Sequence, residues 1–130
     1  MIARQLYFVK PHQVEIREQS LPAPGPDQVL VKTLYSGISA GTEMLVYRGQ
    51  LPGSMALDEN LPALQQQQIS YPLQYGYACV GQIEEVGKDV DATCLGTAVF
   101  SFQPHASHYV CARDAVIPLP EGIAPKEALF

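Results

Sequence analysis

Basic side chains are scarce in this sequence. Its 130 residues hold eight Lys and Arg against 13 Asp and Glu, a formal net charge of −5, and no two basic residues are adjacent. A phosphate backbone would find no basic patch here, so nucleic acid is not an expected partner. Long apolar runs are missing as well. A stretch such as residues 115–119 falls far short of the roughly 20 residues that cross a bilayer. Met1 is followed by Ile-Ala-Arg-Gln, without a signal peptide's apolar core. No membrane partner is expected, and the expected location is the cytoplasm. Cys79, Cys94 and Cys111 are odd in number and widely spaced, with no Cys-x-x-Cys among them. That excludes a disulfide framework and a zinc ribbon and leaves reduced thiols. No Gly-x-Gly-x-x-Gly occurs either, so no turn in these residues is built to hold a dinucleotide's phosphates.

What is present is the material of one globular core. The chain is 47% hydrophobic and 16% charged, away from the low-hydrophobicity, high-charge corner where chains stay disordered. Residues 4–9, 12–18 and 28–35 alternate as short strands, with antiparallel pairing expected. Val14 and Ile16 share one face of the second, and Val29, Val31, Thr33 and Tyr35 one face of the third. Lys10-Pro11 reads as a turn, and Leu21-Pro-Ala-Pro-Gly-Pro26 cannot continue a sheet ladder. A short helix is predicted from Thr42, whose hydroxyl could cap the amides of Met44 or Leu45, through Arg48 to a stop at Gly49. Residues 50–70 carry Pro52, Gly53, Pro62 and four glutamines at 65–68 and follow neither period, which predicts a long surface loop.

The run 73–86 is strand-like, with Gly76 and Gly81 marking a bend or a close backbone approach. Strands over 99–102, 107–112 and 116–119 complete a mainly β domain, a barrel or a sandwich. Residues 124–130 begin like a helix with Pro125 in its first turn. One turn is too short to stand alone, and Leu129-Phe130 would be wasted apolar surface, so the natural chain is expected to continue.

Five segments in order resemble the N-terminal, substrate-side domain of the medium-chain dehydrogenase/reductase family, the zinc alcohol dehydrogenase relatives. Pro24-Gly25-Pro26-Asp27-Gln28-Val29-Leu30-Val31 enters a strand. Ser36-Gly37-Ile38-Ser39-Ala40-Gly41-Thr42-Glu43 stands where the family has a Cys-Gly-x-Cys-x-Thr-Asp-like stretch, one residue shorter. Gly76-Tyr77-Ala78 stands at the Gly-His-Glu motif. Val86-Gly87 with Leu95-Gly96-Thr97-Ala98-Val99-Phe100, and then Leu119-Pro120-Glu121-Gly122, match later turns. The resemblance implies a GroES-like, partly open β-barrel with short helical turns over residues 1–130, with a nucleotide-binding Rossmann domain after residue 130. It implies an NAD(P)-dependent oxidoreductase of small-molecule alcohols or carbonyls and allows a homo-oligomer. These residues alone would be inactive. The Ser-Gly-Ile-Ser-x-Gly-Thr-Glu wording is similar to the branch containing bacteriochlorophyllide hydroxyethyl dehydrogenases, a hint about substrate only.

The departures concern metal. Zinc-dependent members hold Zn²⁺ with a thiolate and an imidazole in an open tetrahedral site. Those positions are Ser39 and Tyr77 here, and the motif's glutamate is Ala78. No catalytic zinc is expected, and no structural zinc, because the family's four clustered cysteines are absent. His105, His108 and Cys111 offer a rival ligand set. If extended, residues 105–111 span about 20 Å at roughly 3.3 Å per residue and cannot converge. The alternative is a loop histidine, a strand histidine and a buried thiol.

Four residues are carried as catalytic candidates. Thr42 resembles the family's proton-relaying hydroxyl, or is a helix cap. Tyr77 is placed to hydrogen-bond a carbonyl, or is a core tyrosine beside Gly76. Glu43 orients neighbours by charge, or is a surface carboxylate favoured in a first helical turn. Ser39 is most simply a turn serine. A second class of function, a stand-alone GroES-like binding module, also fits the length. A co-chaperonin fits poorly, since the 50–70 segment is polar where such proteins carry a hydrophobic loop.

Overall fold

The computed structural model describes residues 1–50 and 71–129. The first two predicted strands form a hairpin, β1 (Ile2–Lys10) and β2 (Gln13–Ser20), with Leu6 opposite Ile16 and Phe8 opposite Val14. His12 turns the chain at φ +67°. Every residue of β2 is exposed, so this ribbon buries side chains only from β1, chiefly Ala3 and Phe8. The prolines at 22, 24 and 26 lack the amide a ladder requires, and the next strand starts a new sheet. The expected antiparallel pairing of the first three strands therefore holds for β1 and β2 only.

β3 (Gln28–Ser36) lies inside a five-stranded antiparallel sheet. It is flanked on one side by β4 (Cys79–Val86) and on the other by β6 (His108–Ala112). β5 (Ala98–Ser101) and then β7 (Val116–Pro118) extend the sheet beyond β4, giving the order β6-β3-β4-β5-β7. Among the described residues neither sheet closes, as a partly open GroES-like barrel requires. Branched side chains from these strands, Val29, Val31, Ile83, Val99 and Val116, pack with Cys79, Tyr109 and Cys111 in the main core. Each contributes about 1.5–3 kcal/mol by leaving water.

Gly81 is the close approach its place in a strand predicts. A Cβ there would stand 2.4 Å from Val31 Cγ1 and 2.6 Å from the Lys32 carbonyl oxygen. The predicted strand over 73–86 is shorter than expected: Leu73 makes one isolated bridge to Phe8, and regular pairing begins at Cys79. β3 also departs from strict alternation. Its register on β4 shifts between Thr33 and Tyr35, and after that bulge Tyr35 is 46% exposed while Ser36 is partly buried. Tyr35 thus leaves the face expected for it.

The predicted helix appears as α1 (Thr42–Arg48), and Gly49 ends it at φ +69°. Its cap differs from expectation. Gly41 is the N-cap, and the Thr42 side chain caps nothing. The helical start expected at 124–130 is a 3₁₀ turn, Pro125–Leu129, resting on β3, β4 and β5. The loop expected at 50–70 lies outside the described residues except for Gln50. No helix among the described residues is long and apolar enough to cross a membrane.

The core holds three groups whose protons burial retains. The Tyr109 hydroxyl is hydrogen-bonded to Ser101 and is pushed up by desolvation, Cys79 is pushed up by the same cause, and Cys111 is pushed up to about 11. In the unfolded chain these groups titrate at their ordinary values, so as pH rises the unfolded state loses protons first and gains stability relative to the fold. The contribution is complete below about pH 9 and is lost toward pH 11. Urea unfolding should therefore show stability falling across that interval, by about 3 kcal/mol from Cys111 alone. Cys111→Ala, less stable at pH 7, should show a shallower decline. A flat profile to pH 11 would contradict this.

Candidate functional site

At the end of β3 the chain turns through Ser36, Gly37, Ile38, Ser39, Ala40 and Gly41 into α1, and the Gly37 amide anchors the turn on the Ala78 carbonyl at 2.8 Å. Glu43, in the first turn of α1, is only 1% exposed. A buried carboxylate must be fully bonded to be tolerated. Its Oε2 accepts the Ser39 amide at 2.5 Å, and its Oε1 meets His105 Nε2. His105 comes from the connection between β5 and β6, and its side chain is 11% exposed. The other ring nitrogen, Nδ1, meets the Ser36 hydroxyl.

The direction of these bonds follows from the donor inventory. An ionised carboxylate only accepts, so Nε2 must be the donor toward it, and a neutral ring would carry its one proton there. Nδ1 is then an acceptor, and the Ser36 hydroxyl donates to it. Two backbone features hold the ring. Its own carbonyl accepts the Leu6 amide at 3.0 Å, and Gly76, at φ +149°, leaves the space it fills. A Cβ on Gly76 would lie 3.1 Å from His105 Nε2 and 3.2 Å from the His105 amide nitrogen.

Ser36 and His105 also line an open cleft of about 580 Å³ whose apolar walls include Ile2, Leu6, Ile16 and Ile38. The hydrogen-bonded chain therefore runs from a buried carboxylate to a hydroxyl at the cleft. Three of the four predicted site residues gather in the adjoining turn. The Ser39 Oγ receives the Thr42 amide at 3.4 Å, and Glu43 closes back on Ser39. Glu43 is buried, so the surface-carboxylate alternative does not apply. Tyr77 lies elsewhere, packed against the second apolar cluster of Phe8, Val46 and Tyr75, with its ring edge-on to Tyr75 at 6.1 Å.

The rival metal set does not assemble. His105 is bound to Glu43 and Ser36, His108 faces Ser107 Oγ at 3.1 Å and Glu84 at 3.8 Å, and Cys111 sits in the main core. Among the described residues no group of three or more His, Cys, Asp or Glu side chains is placed to hold a metal ion.

Residues 25–119 match the family model described as the alcohol dehydrogenase GroES-like domain. The chain belongs to this family, a domain of medium-chain dehydrogenase/reductase enzymes. A 2-desacetyl-2-hydroxyethyl bacteriochlorophyllide A dehydrogenase from Cereibacter sphaeroides is 33% identical over 79 residues, 61% of this chain and 21% of the relative. Its namesake from Rhodobacter capsulatus is 30% identical over 122 residues, 85% of this chain and 35% of the relative. The chain thus spans about a third or less of these curated relatives. Among solved structures, a short chain alcohol dehydrogenase from Escherichia coli CFT073, complexed with NADH, superposes with a TM-score of 0.72. The identity is 20%, over 98% of this chain and 41% of that one. At that identity the likeness concerns the fold.

Within this GroES-like domain, the partnership of Ser36, His105 and Glu43 escapes sequence reasoning. Strict alternation puts Ser36 on the outer face of β3, and no spacing rule links residues 36, 43 and 105. The one available signal is that a charged residue with Val46 and Tyr47 following on a short helix needs a partner if that helix packs inward. The fit of His105 is testable through Gly76. Gly76→Ala combines an unfavourable φ with a clash against the ring and should destabilise by about 2 kcal/mol or more in urea unfolding. Gly41→Ala, whose Cβ meets nothing within 4 Å, should cost less than about 1 kcal/mol.

Proposed function

We propose that this domain forms the substrate side of an NAD(P)-dependent oxidoreductase that interconverts an alcohol and a carbonyl without catalytic zinc. The observation that carries the reading is the apolar cleft bordered by Ser36 and His105, in a domain of an oxidoreductase family. The donor set does not suit zinc. Ser39 and Tyr77 offer a neutral hydroxyl and a phenol at the motif positions, Ala78 offers nothing, and the buried Cys79 and Cys111 thiols stay protonated.

The cofactor supplies hydride exchange when bound. Its phosphates need a glycine-rich turn that these 130 residues lack, and the nucleotide-binding domain expected after residue 130 would provide it. What this chain contributes is shape and proton handling. Ile2, Leu6, Ile16 and Ile38 give the open cleft apolar walls that favour an apolar substrate framework. The two bacteriochlorophyllide relatives are named for a substrate that bears a hydroxyethyl group, an alcohol. Thr42, at the start of α1, and Tyr77, on the second apolar cluster, stand outside the lining of the cleft, so the hydroxyl at the cleft is that of Ser36; Ser39 organises the turn, and Glu43 holds His105.

Three measurements check this. Calorimetric titration of the 130-residue chain with NADH or NADPH should show no saturable binding, whereas the protein carrying its nucleotide-binding domain should bind one of them and oxidise apolar alcohols. In that longer protein, Thr42→Val and Tyr77→Phe, both outside the cleft's lining, should each lower turnover less than about 10-fold, short of the effect of losing a proton-transferring group. Elemental analysis should find zinc well below one equivalent per chain. Stoichiometric zinc surviving dialysis, or low-micromolar NADH binding by the chain alone, would overturn the proposal.

A further inference from the structure

Glu43 and His105 together raise an energetic question. Burying a carboxylate beside an imidazole costs solvation that their attraction repays at best, so stability alone gives little reason for the pair. Three observations give another. The hydrogen-bonded chain ends on a hydroxyl at an open cleft and not in the core. Both carboxylate oxygens are occupied, one by a backbone amide, which fixes the carboxylate and through it the tautomer of the ring. The ring also packs closely on Gly76, where a Cβ would lie 3.1 Å from Nε2 and where the backbone adopts a φ of +149°.

We propose that Ser36, His105 and Glu43 are a proton relay for the cleft. Ser36 is the catalytic hydroxyl that meets the substrate oxygen, His105 is the base behind it, and Glu43 positions His105 and stabilises its protonated form. This rests on the oxidoreductase reading above. In the oxidative direction, the carbinol C–H bond breaks and its electron pair leaves with the hydrogen as hydride, accepted by the oxidised nicotinamide. The substrate O–H bond breaks, its proton passes to Ser36 Oγ, and the Ser36 proton passes to His105 Nδ1. The products are a carbonyl, a neutral Ser36 hydroxyl and an imidazolium whose charge Glu43 offsets. Reduction runs the same path backwards, with Ser36 donating to the developing alkoxide.

The surroundings suit such a path. The other ionisable groups lining the cleft are Arg4 from β1 and His108 from β6, while the segment before β4 faces the ring with the neutral backbone of Gly76. Glu43 is the anion bonded to His105, so the charge that appears on protonation is met where it forms.

Two arms test the relay. In the ¹⁵N-labelled 130-residue chain at pH 8, long-range ¹H–¹⁵N spectra should place the His105 proton on Nε2, slow to exchange. A proton on Nδ1, or free exchange between the nitrogens, would overturn the relay whatever the reaction. In the protein with its nucleotide-binding domain, Ser36→Ala and His105→Gln should lower kcat about 100-fold to 10,000-fold, with KM and cofactor affinity within about twofold. Glu43→Gln should lower kcat at least about 10-fold. Variants that keep wild-type kcat, or that lose kcat and cofactor affinity together as a misfolded site would, also overturn it. Absence of hydride transfer in the unsubstituted protein refutes the oxidoreductase reading instead, and with it any role of Ser36 toward an alcohol oxygen, even where the Nε2 tautomer is found.

Discussion

A carboxylate out of reach of water fixes everything around it. Glu43 at 1% exposure is such a group, and each neighbouring feature follows from meeting its demands. The Ser39 amide must point at it, so the turn after β3 takes one shape. An imidazole must reach it from the other side, so the connection between β5 and β6 is tied down where it passes α1. The Leu6 amide then holds that connection to the hairpin. One buried charge thereby links three parts of the chain that are distant in sequence.

The strands and the short helix are legible in the sequence because they rest on local rules: alternation, prolines that break ladders, and a glycine that ends a helix. Gly49 and Gly81 act as their positions predict, one at positive φ and the other at a contact too close for a Cβ. Legibility fails where a long-range contact decides. A bulge between Thr33 and Tyr35, set by pairing with β4, turns Tyr35 out and Ser36 in, and alternation within β3 carries no trace of it. The helix start is similar: Thr42 looks like a cap, yet Glu43 reaching back to Ser39 organises that turn. His105 is unreadable alone, since its meaning lies in a residue 62 positions earlier.

The family domain carries Ser39, Tyr77 and Ala78 on the segments around its turn and second apolar cluster, and the imidazole bonded to Glu43 comes from a different segment of chain, the connection between β5 and β6. A scaffold of packed valines that does not involve these residues permits exchange among them: the main core would be complete whatever stood at 39, 77 or 105.

The outer strand of the hairpin carries a separate lesson. β2 is exposed along its whole length, and among the described residues its far edge is unpaired. An open edge bearing Val14 and Ile16 invites another strand to add on. The residues between and beyond them are Glu15, Arg17 and Glu18, with Arg17 held near Glu15 at 3.3 Å and over the Tyr7 ring at 4.8 Å. A second strand docking there would have to strip water from these charges. The open edge is thus guarded against self-association by its own charges, while the ribbon is held to the rest of the domain through β1.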